Sequence, residues 1–210
     1  MRGTKAELGS PRAKKVLVVA KYASVHAATE ILRAEELVGL QHDVSSSNPS
    51  PKSLLLSIGS DCHITMTNSM IRMIASMSPA NELLGRNDVE AAQVDSWLSF
   101  LWHSIELPLH VLREMGSLTS SEGKGETTEG SVQLQLKSAL TTIEAHLAKK
   151  MKKQQSSLEH ISYFVGESIT LADISLAVYS CYLMPLVESD SILSRWLGKI
   201  EKECKLDTMT

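Results

Sequence analysis

The chain of 210 residues is 43% hydrophobic, enough for one large domain or two small ones with a real core. A formal net charge of -3 argues against bulk electrostatic capture of nucleic acid and leaves room only for a local basic patch. Cys62, Cys181 and Cys204 form no metal-ligand or redox spacing and leave an odd thiol over, as expected in a reducing compartment, so the chain reads as cytoplasmic.

Residues 1–13 read as a flexible leader: "MRGTKAELGSPRAKK" is basic but has no apolar h-region, and no later run approaches the length of a membrane span. The β-branched run "KKVLVVAKY" suits a buried strand. "SVHAATEILRAEELVG" has helical spacing through Ala27, Ile31, Leu32 and Leu37, and "LQHDV" reads as a second strand, completing a βαβ unit. After the turn-rich "SSSNPSPK", the run "SLLLSIG", a turn at Gly59 to Asp61 and "CHIT" predict a hairpin. A helix follows, "MTNSMIRMIASM", with Met66, Met70, Met73 and Met77 on one side. Ile71, Ile74 and Ala75 widen its apolar arc to roughly 200°, about twice what a helix lying on one core needs. Such a helix can serve two surfaces. Residues 14–78 therefore read as a small α/β domain.

From Asp88 the pattern changes. "DVEAAQVDSWLSFLWHSIELPLHVLREMG" predicts a long helix with Trp97, Leu101, Ile105 and Leu109 along one side. Residues 116–131, "GSLTSSEGKGETTEGS", are poor in apolar groups and read as a mobile loop. Helices resume at "SVQLQLKSALTTIEAHLAKKMKK", "TLADISLAVYSCYLMPLVE" and "SILSRWLGKIEKEC", so residues 88–204 read as an all-helical domain, with 205–210 a tail. In "GESITLADISLAVYS", Thr170 caps the next helix and Asp173, three residues on, reaches back to the freed amide, with Ile169 and Ile174 at the staple positions. The pair is a structural cap rather than a catalytic group.

The remaining constellations favour structure over chemistry. Lys149, Lys150, Lys152 and Lys153 read as a solvated helix end, where cations complement the dipole. A phosphate contact with tRNA through them would be weak, salt-sensitive or indirect. The histidines offer no metal-ligand spacing. Trp97, Trp102 and Trp196 read as core anchors, and Gly123, Gly125 and Gly130 follow no strand and make no phosphate loop.

A βαβ-hairpin-helix unit followed by helices opening on "GESITLAD" resembles the glutathione transferase-like fold over roughly residues 14–204: a thioredoxin-like α/β domain, here lacking one helix, then an all-α domain. "TNSMIRMIA", "LLGRNDVEAAQVDSWLSF" and "LSRWLGKI" further resemble the transferase-like domains of aminoacyl-tRNA synthetases, closest to the N-terminal domain of the glutamyl-prolyl synthetase, and of the auxiliary scaffold proteins in multi-synthetase complexes. The gamma subunit of the elongation factor 1 complex carries a similar domain.

A working transferase needs a hydroxyl donor after the first strand and, as the resemblance implies, a cis-proline opening the third. Tyr22 and Ser24 are glutathione candidates by position, but Ser24 is as readily a helix cap and Tyr22 a strand end. The proline would fall near Leu54 or Leu55, whereas Pro49 and Pro51 lie several residues earlier. Ser69 matches the family's glutathione-contacting serine, yet Asn68 replaces its usual partner, and residues 46–52 are too few for the helix that completes the pocket. The expectation is a non-catalytic adaptor with no catalytic residue, cofactor or metal. Its partners would be transferase-like domains of synthetases or scaffold proteins, in a homo- or hetero-oligomer, with no membrane contact. The resemblance implies two surfaces: the helix carrying Met66, Met70, Met73 and Met77, and a second made by Arg195, just before Trp196, and Asp95, two residues before Trp97. The alternatives are an unusual glutathione transferase and an elongation factor 1 complex subunit.

Overall fold

The computed structural model describes residues 11–23, 56–58, 62–77, 82–118, 126–153 and 162–204. The chain divides into two compact units, Met1–Asn81 and Glu82–Thr210.

In the first unit, helix α1 spans Pro11–Tyr22, strands β1 and β2 span Leu56–Ile58 and Cys62–Ile64, and helix α2 spans Thr67–Ser76. The strands form the expected antiparallel hairpin, with Leu56 opposite Ile64, Ser57 opposite His63 and Ile58 opposite Cys62. α1 corrects the sequence reading: "KKVLVVAKY" is helical, and the leader's last residues, 11–13, belong to the same helix. A short β-branched run cannot be told from a buried helix by its apolar character. The deciding signal lies outside the run. Ala13, Val16, Ala20 and Ala23 recur at intervals of three, four and three, and all four are buried, while Pro11 occupies the first helical position, where its missing N–H costs nothing. α1 packs on α2, whose Met70, Ile71, Ile74 and Ala75 are buried. The expected helix over 24–39 and the strand "LQHDV" lie outside the described residues.

Every regular element among the described residues of the second unit is a helix. The chain enters it at Gly85, whose φ of 97° would strain any other residue, and where an added Cβ would lie 2.8 Å from the backbone of Glu90 and Ala91. Asn87 then caps α3 (Asp88–Leu101), its side chain accepting from the amides of Val89 and Glu90 at 3.1 and 3.0 Å. Val94, Leu98, Leu101 and Ile105 form the buried stripe. It runs on through a π-helical turn, Trp102–Glu106, into α4 (Leu107–Leu118). The wide turn falls just before Pro108, which has no N–H to give and whose ring would crowd the carbonyl of Ser104.

α5 spans Glu126–Lys153. Helix therefore covers residues 116–118 and 126–131 of the stretch expected to be a mobile loop. Buried Leu136, Ala139, Leu140, Ile143 and Leu147 anchor α5, and a helix so nucleated extends at one hydrogen bond per residue, even through polar sequence. The segment expected as one helix from Thr170 is broken into α6 (Leu171–Ala177), α7 (Ser180–Leu183) and a 3-10 turn (Met184–Leu186) that accommodates Pro185. α8 spans Ile192–Glu203, capped by the Ser191 side chain. All residues of α6 are buried. A helix buried on every side belongs at the centre of its unit, and α6 packs on both α3 and α8.

Candidate functional site

Of the three glutathione candidates, the structure describes Tyr22 and Ser69. Tyr22, expected to follow a strand, is the half-buried last residue of α1, Ser69 is exposed on α2, and Ser24, Leu54 and Leu55 lie outside the described residues. Asn68, beside Ser69, is engaged internally: its Oδ1 accepts from the Nζ of Lys15 at 3.4 Å, and Lys15 is fully buried. Sequence reading missed Lys15 because its place was assigned to a strand.

The methionine stripe divides. Met70 is fully buried and belongs to the core, and Met73 is half-buried. Met66 and Met77, at the two ends of α2, are each 56% exposed. A helical wheel orients these four residues alike, but what lies against each end of a short helix is set by tertiary packing. Of the second group, Arg195 is exposed on α8, Trp196 beside it is fully buried, and Asp95 is half-buried on α3. An exposed arginine rooted beside a buried tryptophan is held on a rigid element, a good foundation for a directional contact.

Within the second unit, residues 162–170 are clamped from several sides. Asp173 of α6 accepts from the Phe164 amide at 2.8 Å on one carboxylate oxygen, and from the Thr170 amide at 2.8 Å and hydroxyl at 2.6 Å on the other. The expected capping box is thus in place and extended by Phe164. Burial pushes the Asp173 carboxyl up to about 6, against the hydrogen bonds from Thr170 and Phe164 and the charge of Lys150. From α5, Lys150 donates to the carbonyls of Tyr163 at 2.6 Å and Gly166 at 3.0 Å. Burial lowers its pKa, while Asp173, Glu90 and Glu167 pull it back up. His146 sits with Nε2 2.9 Å from the Phe164 carbonyl, edge-on to Trp97, and burial holds its pKa below the ordinary value. From α8, Trp196 donates to the Ser162 carbonyl at 3.0 Å. Gly166 turns at φ 61°, with Glu90 so close that an added Cβ would meet Oε2 at 3.1 Å. Separately, Glu106 on the π-helical turn is buried and accepts from the Tyr179 hydroxyl at 3.0 Å.

Lys150 is therefore a correction: one of the four lysines read as a solvated helix end is half-buried and holds backbone carbonyls, whereas Lys149 and Lys152 are exposed. Lys150→Met keeps most of the stem and removes both hydrogen bonds. It should cost about 1–3 kcal/mol in urea unfolding and leave any tRNA binding at low salt unchanged. Weaker tRNA binding with unaltered stability would return Lys150 to the surface role.

Among the described residues no group of three or more His, Cys, Asp or Glu is placed to hold a metal ion, and no helix is long and apolar enough to cross a membrane.

No protein-family model matches the chain. Among solved structures it is similar to Ure2p in complex with glutathione, with a TM-score of 0.74 and 14% identity over 96% of this chain and 95% of that one. A glutathione S-transferase from Ascaris lumbricoides matches with a TM-score of 0.62 and 19% identity, covering 91% of this chain and 86% of that one. The chain has the glutathione transferase-like fold. Among curated proteins it is similar to two from Arabidopsis thaliana: "Probable elongation factor 1-gamma 1", 29% identical over 172 residues, or 75% of this chain, and "Probable elongation factor 1-gamma 2", 26% identical over 174 residues, or 79% of this chain. The chain spans 38% and 37% of the length of these relatives.

Proposed function

We propose that the chain is a non-catalytic glutathione transferase-like domain that assembles translation factors, acting as an elongation factor 1-gamma-type subunit in the cytoplasm. The observation that carries this reading is the 29% identity to "Probable elongation factor 1-gamma 1" across 172 residues. It places the elongation-factor alternative ahead of the synthetase-complex adaptor, which the comparisons do not support specifically. The absence of catalysis is supported by three features together: Tyr22 ends a helix rather than a strand, Asn68 is occupied by Lys15, and the family's proline is missing from "KSLLLSIG". Met66, Met77 and Arg195 are the contact residues, and Met70 is a residue of the core.

Native co-purification of the tagged chain at moderate salt tests the assignment. Elongation factor subunits in stable proportion are the expected result. Several synthetases in their place would restore the multi-synthetase reading, and a lone homodimer that titrates with glutathione would make the chain a transferase. Met66→Gln with Met77→Gln should weaken one partner, and Arg195→Glu another, each with an unchanged melting temperature. Recovery of every partner from both variants would remove these residues from the interface.

A further inference from the structure

An apolar face outside both of these residue sets stands on the corner that follows α6. In the six residues "CYLMPL", Leu183 is fully buried and roots the corner in the core. Tyr182, Met184 and Leu186 are 40%, 41% and 42% exposed, and Pro185 is exposed between them. Leu186 and Pro185 lie four and three residues after Tyr182, the offsets that share one side of a helical turn, and Met184 stands next to Pro185 in the chain. The base of the corner is fixed, since the Met184 sulfur lies 3.9 Å from the Ser194 hydroxyl of α8. Three large apolar side chains, each about two-fifths exposed, and a proline gathered on one corner are more than scattered surface hydrophobics. The corner ends in an acidic edge, with Glu188 and Asp190 both exposed.

We propose that the face formed by Tyr182, Met184, Pro185 and Leu186 docks a basic amphipathic helix of a partner protein. The corner from Ser180 to Leu186 is about 12 Å long at helical rises, and two turns of a partner helix, about 11 Å, span it with apolar side chains at i, i+3, i+4 and i+7. Glu188 and Asp190 select the flanks: lysine or arginine beside the apolar stripe is attracted, and an acidic flank is repelled. This proposal stands on the corner alone and does not depend on the translation-factor reading.

Two synthetic helical peptides with the same leucine stripe, one flanked by lysines and one by glutamates, test it by fluorescence anisotropy against the full chain. The lysine peptide should bind at least about tenfold more tightly than the glutamate peptide. Tyr182→Ser with Leu186→Ser should abolish that binding at an unchanged melting temperature, and Glu188→Lys with Asp190→Lys should reverse the preference between peptides. Equal binding of the two peptides, or indifference to both double variants, would overturn the proposal. So would a concentration-dependent dimer in sedimentation that the Tyr182→Ser, Leu186→Ser variant loses, because a second copy would then cover the face.

Discussion

Asp173→Ala should destabilise the helical unit by about 3–5 kcal/mol, a large part of the 5–15 kcal/mol that holds a typical domain folded. The carboxylate is fully buried, and its loss strands the amides of Phe164 and Thr170 together with the Thr170 hydroxyl. No water can reach a buried orphan without opening the segment, so each amide bears most of its desolvation cost. Asp173→Asn should cost less, because one carbonyl oxygen still accepts while the amide nitrogen can only donate. The pH dependence follows from burial, which raises the folded-state carboxyl from an ordinary 3.8 to about 6. A raised pKa means the folded state binds the proton more tightly than the unfolded chain. This contribution is fully present below the ordinary carboxyl value and is lost as pH rises through about 6. The advantage of wild type over the non-titrating variants should therefore widen as pH falls from about 7 to about 5. Urea midpoints by circular dichroism across that range are the measurement, and an advantage that narrows would show the carboxyl is not raised.

The groups around Asp173 separate what local sequence reveals from what it hides. The capping box was readable because both partners lie within four residues, and the cap, staple and apolar run all point to one helix start. The long helix from Asp88 was readable by its apolar period, but of the stripe read as Trp97, Leu101, Ile105 and Leu109 only Leu101 and Ile105 are fully buried; Val94 and Leu98 complete the buried stripe and Trp97 and Leu109 are half-buried. Lys150 was not readable, because its acceptors are backbone carbonyls 13 and 16 residues away, which no side-chain pattern announces. Nor was α1, where a β-branched run outweighed a small-residue stripe of alanines at helical spacing. The methionines mark a third limit. Their direction around α2 was legible, but the difference between buried Met70 and exposed Met66 and Met77 depends on neighbours distant in sequence. The choice between translation factor and synthetase complex lay beyond the motifs as well, since the features read here as transferase-like are shared by both groups.

Trp196→Ala should cost about 3–5 kcal/mol, through the cavity it leaves and the loss of its hydrogen bond to the Ser162 carbonyl. Trp196 is fully buried, its indole nitrogen donates to Ser162, and its ring stands at 85° to Phe164 with centroids 4.9 Å apart. Phe164 in turn meets Trp97 at 4.7 Å, so one phenyl ring links α8 to α3. Trp196→Phe keeps most of the apolar contact and gives up the hydrogen bond, and should lose only about 1–2 kcal/mol. Trp97→Leu provides the coupling measurement. Because both tryptophans pack on Phe164, the double variant Trp97→Leu, Trp196→Ala should fall short of the sum of the single losses by at least about 0.5 kcal/mol. Strict additivity in urea unfolding would mean that Phe164 does not transmit packing between the two helices. Arg195→Glu, one residue from Trp196, completes the test by contrast. It should leave the unfolding midpoint unchanged while removing a partner, because α8 turns its tryptophan into the core and its arginine to solvent. A midpoint that falls with Arg195→Glu would mean the arginine supports the fold, and the loss of a partner could no longer be ascribed to a missing contact.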